Sequence, residues 1–321
     1  MLASFRGRVC ILTGATGGIG SALAQALAKD GLRLALVARR AGELETLAQE
    51  IIAAGGEARA YPTDLLDAAA TAAMVAEVQA DLGPVGVLIN NAGVETFQHF
   101  HEADPDGMAR AVALNLTAPL LLTRLVLPDM LSTDGAVVSL ASTAGLFGTP
   151  HGAVYAATKA AVIAMNRSLR MEYRGAPVRF TAVSPGFVHG AGMQELHKQE
   201  VGAAPAAVGG TTIAAVVSAV RDALRRDRVE VVVNSSPLRP LVALAHLLPG
   251  WGVVATRMLT GAYMRAIANA RQGRCHRSRR SRSGRKHRRL ADEADRMTPG
   301  PPGPACTARL PARLDTRRQQ D

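Results

Sequence analysis

Aromatic residues are scarce in this chain: six Phe, four Tyr and one Trp among 321 residues. A core of any size must therefore be built from aliphatic side chains, and a hydrophobic content of 48% supplies them. Cysteine is scarcer still. Cys10, Cys275 and Cys306 show neither a pairing framework nor metal-ligand spacing. That excludes a disulfide-stapled fold, gives no metal site and suits a reducing compartment, so a cytoplasmic protein is expected. No uninterrupted apolar run reaches the ~20 residues that span a bilayer. No long apolar segment precedes the first fold element, so no signal peptide is expected. The net charge of +11 is concentrated at one end. Residues 271–321 hold 15 Arg and Lys against 5 Asp and Glu, whereas residues 1–270 hold 22 against 21. The body is nearly neutral.

The body alternates apolar strand-like runs with helical patterns. Val9–Thr13 reads as a short buried strand, followed by G-A-T-G-G-I-G and a helical pattern to about Lys29. Gly14, Gly18 and Gly20 let the backbone turn sharply and let a phosphate approach it. The following helix N-terminus offers free N–H groups and a positive dipole end to a pyrophosphate, although a glycine-rich turn of this kind is often only a turn. A second strand, Arg33–Ala38, ends at Arg39 and Arg40. In dinucleotide-binding folds an acid at this point accepts a bond from a free 2′-hydroxyl, whereas an Arg accommodates a 2′-phosphate. The first acid here is Glu43, which favours NADP(H) over NAD(H) unless both arginines simply face water. Helix Ala41–Ala54, strand Glu57–Pro62, helix Asp67–Leu82 and strand Val85–Asn90 continue the alternation, which implies a parallel sheet covered on both faces. Asp64 stands just past the third strand, placed either to meet an adenine edge or to cap the next helix.

Further on, Tyr155 and Lys159 lie four residues apart in a helical stretch, and so on one face. A free tyrosine has a pKa of about 10. A neighbouring ammonium favours its phenolate, and such a tyrosine exchanges a proton with a carbonyl or alcohol oxygen. Ser142, at the end of the run A-V-V-S-L-A, is placed to hold the same oxygen. Ser139 is its rival, but three residues earlier on a strand it points to the other face. His189 reads as a loop histidine near the pocket mouth in preference to a second acid/base group.

Taken in order, T-G-x-x-x-G-I-G (13–20), Asp64-Leu65, N-N-A-G (90–93), Asn115, S-L-A-S-T-A-G (139–145), Tyr155-x-x-x-Lys159 and P-G-F-V (185–188) resemble the short-chain dehydrogenase/reductase family over roughly residues 7–235. The resemblance implies a single doubly wound parallel-sheet (Rossmann) domain of the α/β class, with about seven strands. It implies that Tyr155 is the general acid or base, that Lys159 lowers its pKa and holds the nicotinamide ribose, and that Ser142 positions the substrate oxygen. Asn115 would support a water relay to Lys159. Gly14, Gly18, Ile19 and Gly20 would line the pyrophosphate and nicotinamide path, and Asp64 and Leu65 would flank the adenine. Asn91, Ala92 and Gly93 would lie along the cofactor, and Pro185, Gly186 and Val188 would meet the nicotinamide. One departure is that Gly190 stands where many members place a Thr for the carboxamide.

The implied activity is hydride transfer between NADP(H) and a carbonyl or secondary alcohol, and the apolar C-terminal stretch described next suits a hydrophobic substrate.

 The alternatives are an NAD(H)-linked alcohol dehydrogenase and a non-catalytic dinucleotide-binding scaffold whose tail attracts nucleic acid. The intact set of Asn115, Ser142, Tyr155 and Lys159 argues against the scaffold. Small residues along the helix of Tyr155 (Ala156, Ala157, Ala160, Ala161 and Ala164) suit close helix packing, and the resemblance implies a homodimer or homotetramer through it.

Three further stretches carry expectations. Gly190–Gly210 holds five glycines and reads as a mobile loop over the substrate, before a helix at Thr211–Arg226 and a last strand at Val229–Val233. Residues 236–270 form an apolar extension in which Leu241, Leu244, Ala245 and Leu248 share a face and Trp251 follows a Pro-Gly pair. It reads as a packed helix at the pocket or a subunit contact, as a surface helix making weak membrane contact through 237–255, or as exposure without a role. Residues 271–321 combine an Arg/Ser run with P-G-P-P-G-P and few apolar side chains, so a disordered and dispensable tail is expected. Without aromatics the tail has no stacking platform, so no specific nucleic-acid partner is expected, and contact with nucleic acid or anionic lipid would be weak and salt-sensitive.

Overall fold

The computed structural model describes residues 2–190, 193–205, 209–236 and 238–271. The expected disorder of the basic tail concerns residues outside that set, apart from Arg271.

Seven parallel strands form the central sheet: β1 (Val9–Thr13), β2 (Arg33–Ala38), β3 (Glu57–Pro62), β4 (Val85–Asn90), β5 (Gly135–Leu140), β6 (Val178–Pro185) and, numbered last for its place in the chain, β9 (Glu230–Val233). Their order is β3-β2-β1-β4-β5-β6-β9. Every residue of β1, β4 and β5 is buried, as parallel strands covered on both faces must be. The edge strand β3 is less covered: only Ala58 and Tyr61 are buried, one in each of the two cores described next, while Glu57, Arg59 and Pro62 are exposed.

Period-two alternation divides β1 between two cores. Cys10 and Leu12 face helices α1 (Gly18–Lys29), α2 (Ala41–Ala53) and α9 (Ile213–Arg225). Val9 and Ile11 face α3 (Ala68–Leu82) and α5 (Ala118–Thr133). The first core has Phe5 as its sole fully buried aromatic, so leucine, valine and alanine fill it, as the composition required. Each fully buried leucine, such as Leu12, Leu34 or Leu36, contributes about 1.5–3 kcal/mol.

The chain winds outward from β1 to β3, then crosses back to start β4 on the other side of β1. That reversal opens a crevice at the carboxyl ends of β1 and β4, where doubly wound sheets bind ligands. Thr13 and Asn91 staple its two sides. The Thr13 hydroxyl accepts from the Asn91 and Ala92 N–H groups at 3.0 Å each, and the Asn91 amide donates to the Thr13 carbonyl at 2.9 Å.

The helical element that leads into β5 is not regular. Helix α4 (Pro105–Val112) passes through a wide π turn at Ala113–Thr117 into α5. Its 29 residues are long and apolar enough to cross a membrane, but Leu122, Val126 and Met130 pack in the core beside Val85 and Leu88 of β4.

Between β6 and α9 the structure corrects the expectation of a segment without regular elements. Strand β7 (Val188–His189) pairs in parallel with β8 (Thr211–Thr212), and helix α8 (Met193–Val201) lies between them. The glycines that masked this helix stand around it, not in it. Two predicted helix starts also move by a residue or two, because Asp67 and Thr212 are caps: their side chains accept from Ala70 and Ala215 N–H. After β9 the chain folds into α10 (Leu238–Leu247) and α11 (249–271). The second half of α11 is anchored through Tyr263, Met264 and Ile267, which pack with Phe97 and Tyr155.

Candidate active site

The carboxyl ends of the strands open into one cavity of about 610 Å³. At its inner end lies the glycine-rich turn. A Cβ at Gly20 would overlap the Gly14 carbonyl, and Gly14 itself has φ +65°, so both positions exclude a side chain. Helix α1 has Gly17 at its N-cap, so no side chain caps it, and no acid stands in its first turn. Its N–H groups are therefore open to an anion in the cavity, which fits a dinucleotide pyrophosphate. Gly14, Gly18, Ile19 and Gly20 all line this wall.

The other residues expected to touch a cofactor converge on the same space. Arg39 and Arg40 lie exposed at the end of β2. Arg40 pairs with Glu43 at 2.7 Å and donates to the Thr16 hydroxyl at 3.2 Å, so it already has partners. Asp64 and Leu65 line the cavity after β3, where Asp64 accepts from the Leu66 N–H at 3.1 Å. It closes a local turn and leaves the helix cap to Asp67. Asn91, Ala92 and Gly93 follow β4, and Pro185, Gly186 and Val188 follow β6. Gly93 keeps the centre open, since a Cβ there would stand 3.2 Å from Asn115 Oδ1 and 3.4 Å from Lys159 Nζ.

Helix α7 (Ala153–Glu172) carries Tyr155 and Lys159 on its buried face. The short helix α6 (Ala144–Phe147) lies flat on α7 because Gly145 has no side chain; a Cβ would press on the Lys159 backbone carbon at 2.6 Å. Ser142 and Tyr155 both line the cavity, and the Ser142 hydroxyl is near enough to the phenol to favour its ionised form. Ser139 is fully buried, faces Asn166 and stays out of the cavity, as its position on the strand predicts. His189 is exposed in β7 and Gly190 follows with φ +90°; neither lines the cavity.

Burial pushes the Tyr155 phenol up from its ordinary value, and the charge of Glu95 pushes it further; the Ser142 bond acts the other way. Burial also brings Lys159 down to about 8, against a smaller upward pull from Glu95. The Lys159 ammonium donates to the Leu140 carbonyl at 2.7 Å and stands 5.8 Å from the centre of the Tyr155 ring. Desolvation thus outweighs any help that the lysine gives the phenol here, which is opposite in sign to the simple expectation from an ion pair on a helix face.

Asn115 sits in the π turn, 1% exposed. Its amide accepts from the Val94 N–H at 2.8 Å and donates to the Val94 carbonyl at 2.9 Å and the Thr158 hydroxyl at 3.1 Å. The side chain is thereby committed to holding the segment after β4.

Some of the site had no motif to announce it. Glu95 lines the cavity and faces the buried His197 of α8 at 3.1 Å and Arg271 of α11 at 3.7 Å. Phe97 stands edge-on to both Tyr155 and His197. The outer wall comes from α10 and α11, through Ala245, Gly252, Thr256, Leu259 and Met264. Among the described residues no cluster of His, Cys, Asp or Glu is arranged to hold a metal ion.

Residues 8–201 match the short chain dehydrogenase family model. The ketoacyl reductase HetN of Nostoc sp. is 35% identical over 241 residues, which are 74% of this chain and 82% of that protein. A metagenomic short-chain oxidoreductase solved with NADP is 32% identical with a TM-score of 0.62, covering 73% of this chain and 99% of its own. An NAD+-bound xylitol dehydrogenase is 28% identical with a TM-score of 0.65, covering 72% and 99%. With the glycine turn, the Tyr155–Lys159 pair and the sheet order in agreement, this chain belongs to the short-chain dehydrogenase/reductase family and is an oxidoreductase.

Proposed function

We propose that the enzyme reduces a hydrophobic carbonyl compound with NADPH, through Tyr155 as proton donor. The observation that carries this reading is that one cavity joins the glycine turn, the Ser142–Tyr155 hydroxyl pair and an apolar outer wall. A bound nicotinamide would supply the hydride to the carbonyl carbon. Ser142 would hold the carbonyl oxygen, and Tyr155 would give that oxygen its proton as the carbon–oxygen double bond becomes a single bond. Lys159 would hold the ribose and return a proton to Tyr155. Asn115 would serve that relay by positioning, since its side chain is spent on Val94 and Thr158.

Arg39 and Arg40, with no acid at the end of β2, support a 2′-phosphate. The ketoacyl reductase relative supports a carbonyl substrate. Ala157, Ala160 and Ala164 are exposed along α7, which supports a homodimer or homotetramer packed through that helix. The absence of a cysteine framework supports a cytoplasmic location. The NAD+-bound relative favours a second reading, alcohol oxidation with NAD+.

Thermal-shift titrations with NADPH and NADH decide between the two. A ligand that binds only the native state raises its stability according to its affinity. Stabilisation by NADPH at concentrations at least tenfold lower, reduced selectively by Arg39→Ala, is the expected result. An equal or stronger response to NADH supports the oxidative reading, and no response to either overturns the dinucleotide assignment.

A further inference from the structure

The stretch from residue 231 to residue 291 contains 13 Arg and Lys and no Asp or Glu. The other 260 residues hold 24 basic and 26 acidic side chains. The positive charge is therefore segregated in sequence, four basic residues falling in α10 and α11 and nine in the chain that follows.

The same stretch gathers exposed apolar surface. Of the 16 large hydrophobic side chains exposed among the described residues, eight lie between 244 and 259. Leu247, Trp251 and Met258 are 77%, 74% and 80% exposed, with Leu244, Val253 and Val254 beside them. The opposite side of these helices is the outer wall of the cavity. Gly252 lets them pack closely, since a Cβ there would stand 2.7 Å from that of Ala245. The first half of α11 is thus apolar on both sides, whereas its second half is anchored on the body. A helix apolar all round at a protein surface needs an apolar medium on its outer side.

We propose that the α10–α11 pair docks the enzyme on an anionic bilayer surface. Two weak signals combine here: an apolar helical face to enter the interface, and basic residues to meet acidic headgroups. Charge argues for lipid over a second copy of the chain, which would bring one acid-free stretch of sequence against another. Because the docking helices are also the cavity wall, the mouth of the pocket lies at the lipid boundary.

Trp251 is the only tryptophan, so its emission reports this surface directly. Full-length protein is titrated with phosphatidylcholine vesicles with and without about 30% phosphatidylglycerol. The expected result is a shift to shorter wavelength and co-flotation with the anionic vesicles, weakened by salt. A Leu247→Glu/Met258→Glu variant, which keeps Trp251 and touches neither the cavity nor Tyr155, is expected to lose vesicle affinity by at least about tenfold. Its thermal shift with NADPH is expected to match that of the parent, which separates loss of docking from loss of fold or cofactor binding. No shift and no flotation with anionic vesicles, or equal binding by the variant, overturns the proposal. So does a blue shift that appears on concentrating the protein without lipid, since a second copy then covers the face.

Discussion

The two ends of the cavity are built by different means. The inner end is made of backbone: glycine turns, an uncapped helix start, and strand ends stapled by Thr13 and Asn91. The outer end is made of apolar side chains from α10 and α11. Backbone chemistry tolerates few residue types at each position, whereas an apolar wall accepts many. The inner end can therefore serve one cofactor chemistry while the outer end is free to define a substrate.

The sharpest test of that division is Tyr155→Phe. It removes the hydroxyl proposed to meet the substrate oxygen but leaves the glycine turn intact. Turnover is expected to fall about 10²–10⁴-fold, with the thermal shift by NADPH retained. Wild-type turnover in this variant would remove Tyr155 from the mechanism. Leu259→Trp then probes the outer end. It fills the cavity beyond Ser142 and Tyr155, so kcat/KM for a bulky apolar ketone is expected to drop about 10–100-fold, with little change for a small one. Equal losses for both would show that the wall also shapes the inner end.

The smallest effect is expected where the two ends meet, at Glu95. Its charge raises the Tyr155 pKa, so Glu95→Gln lowers that pKa. In the proposed mechanism oxidation needs the phenolate, so its rate is expected to rise with pH through this pKa. The oxidative profile should accordingly move to lower pH, while the limb on which reduction is lost at high pH moves the same way. One pKa unit corresponds to 1.36 kcal/mol, and the expected movement is at most about one unit. A profile that stays in place would show Glu95 to be a structural contact with His197 and Arg271 alone.

The inner end was legible because its residues recur at positions set by chemistry. Gly14, Gly20, Asn115, Ser142, Tyr155 and Lys159 were each named from the sequence, and the structure brings all but Asn115 to the cavity surface. Asn115 stands one layer behind, through its bonds to Val94 and Thr158. The sheet was legible for a similar reason, since buried parallel strands read as continuous apolar runs. Helix α8 was not. Its glycine-rich flanks resembled a loop, and burial of His197 depends on Phe97 and Glu95, about a hundred residues away in sequence. The direction of the Tyr155 shift was also hidden, because sequence shows the neighbouring charge but not the depth of burial.

The π turn at Ala113–Thr117 has a consequence for how this chain can vary. A π turn carries one residue more than a regular helical turn. Deleting a residue there would restore a regular helix, but each residue turns a helix by about 100°. Either Asn115 would swing away from Val94, or Leu122, Val126 and Met130 would rotate off the sheet. The surplus residue thus sets the phase between Asn115 on one side of the turn and the core-packing residues on the other, so a single-residue deletion there is expected to disturb one of the two.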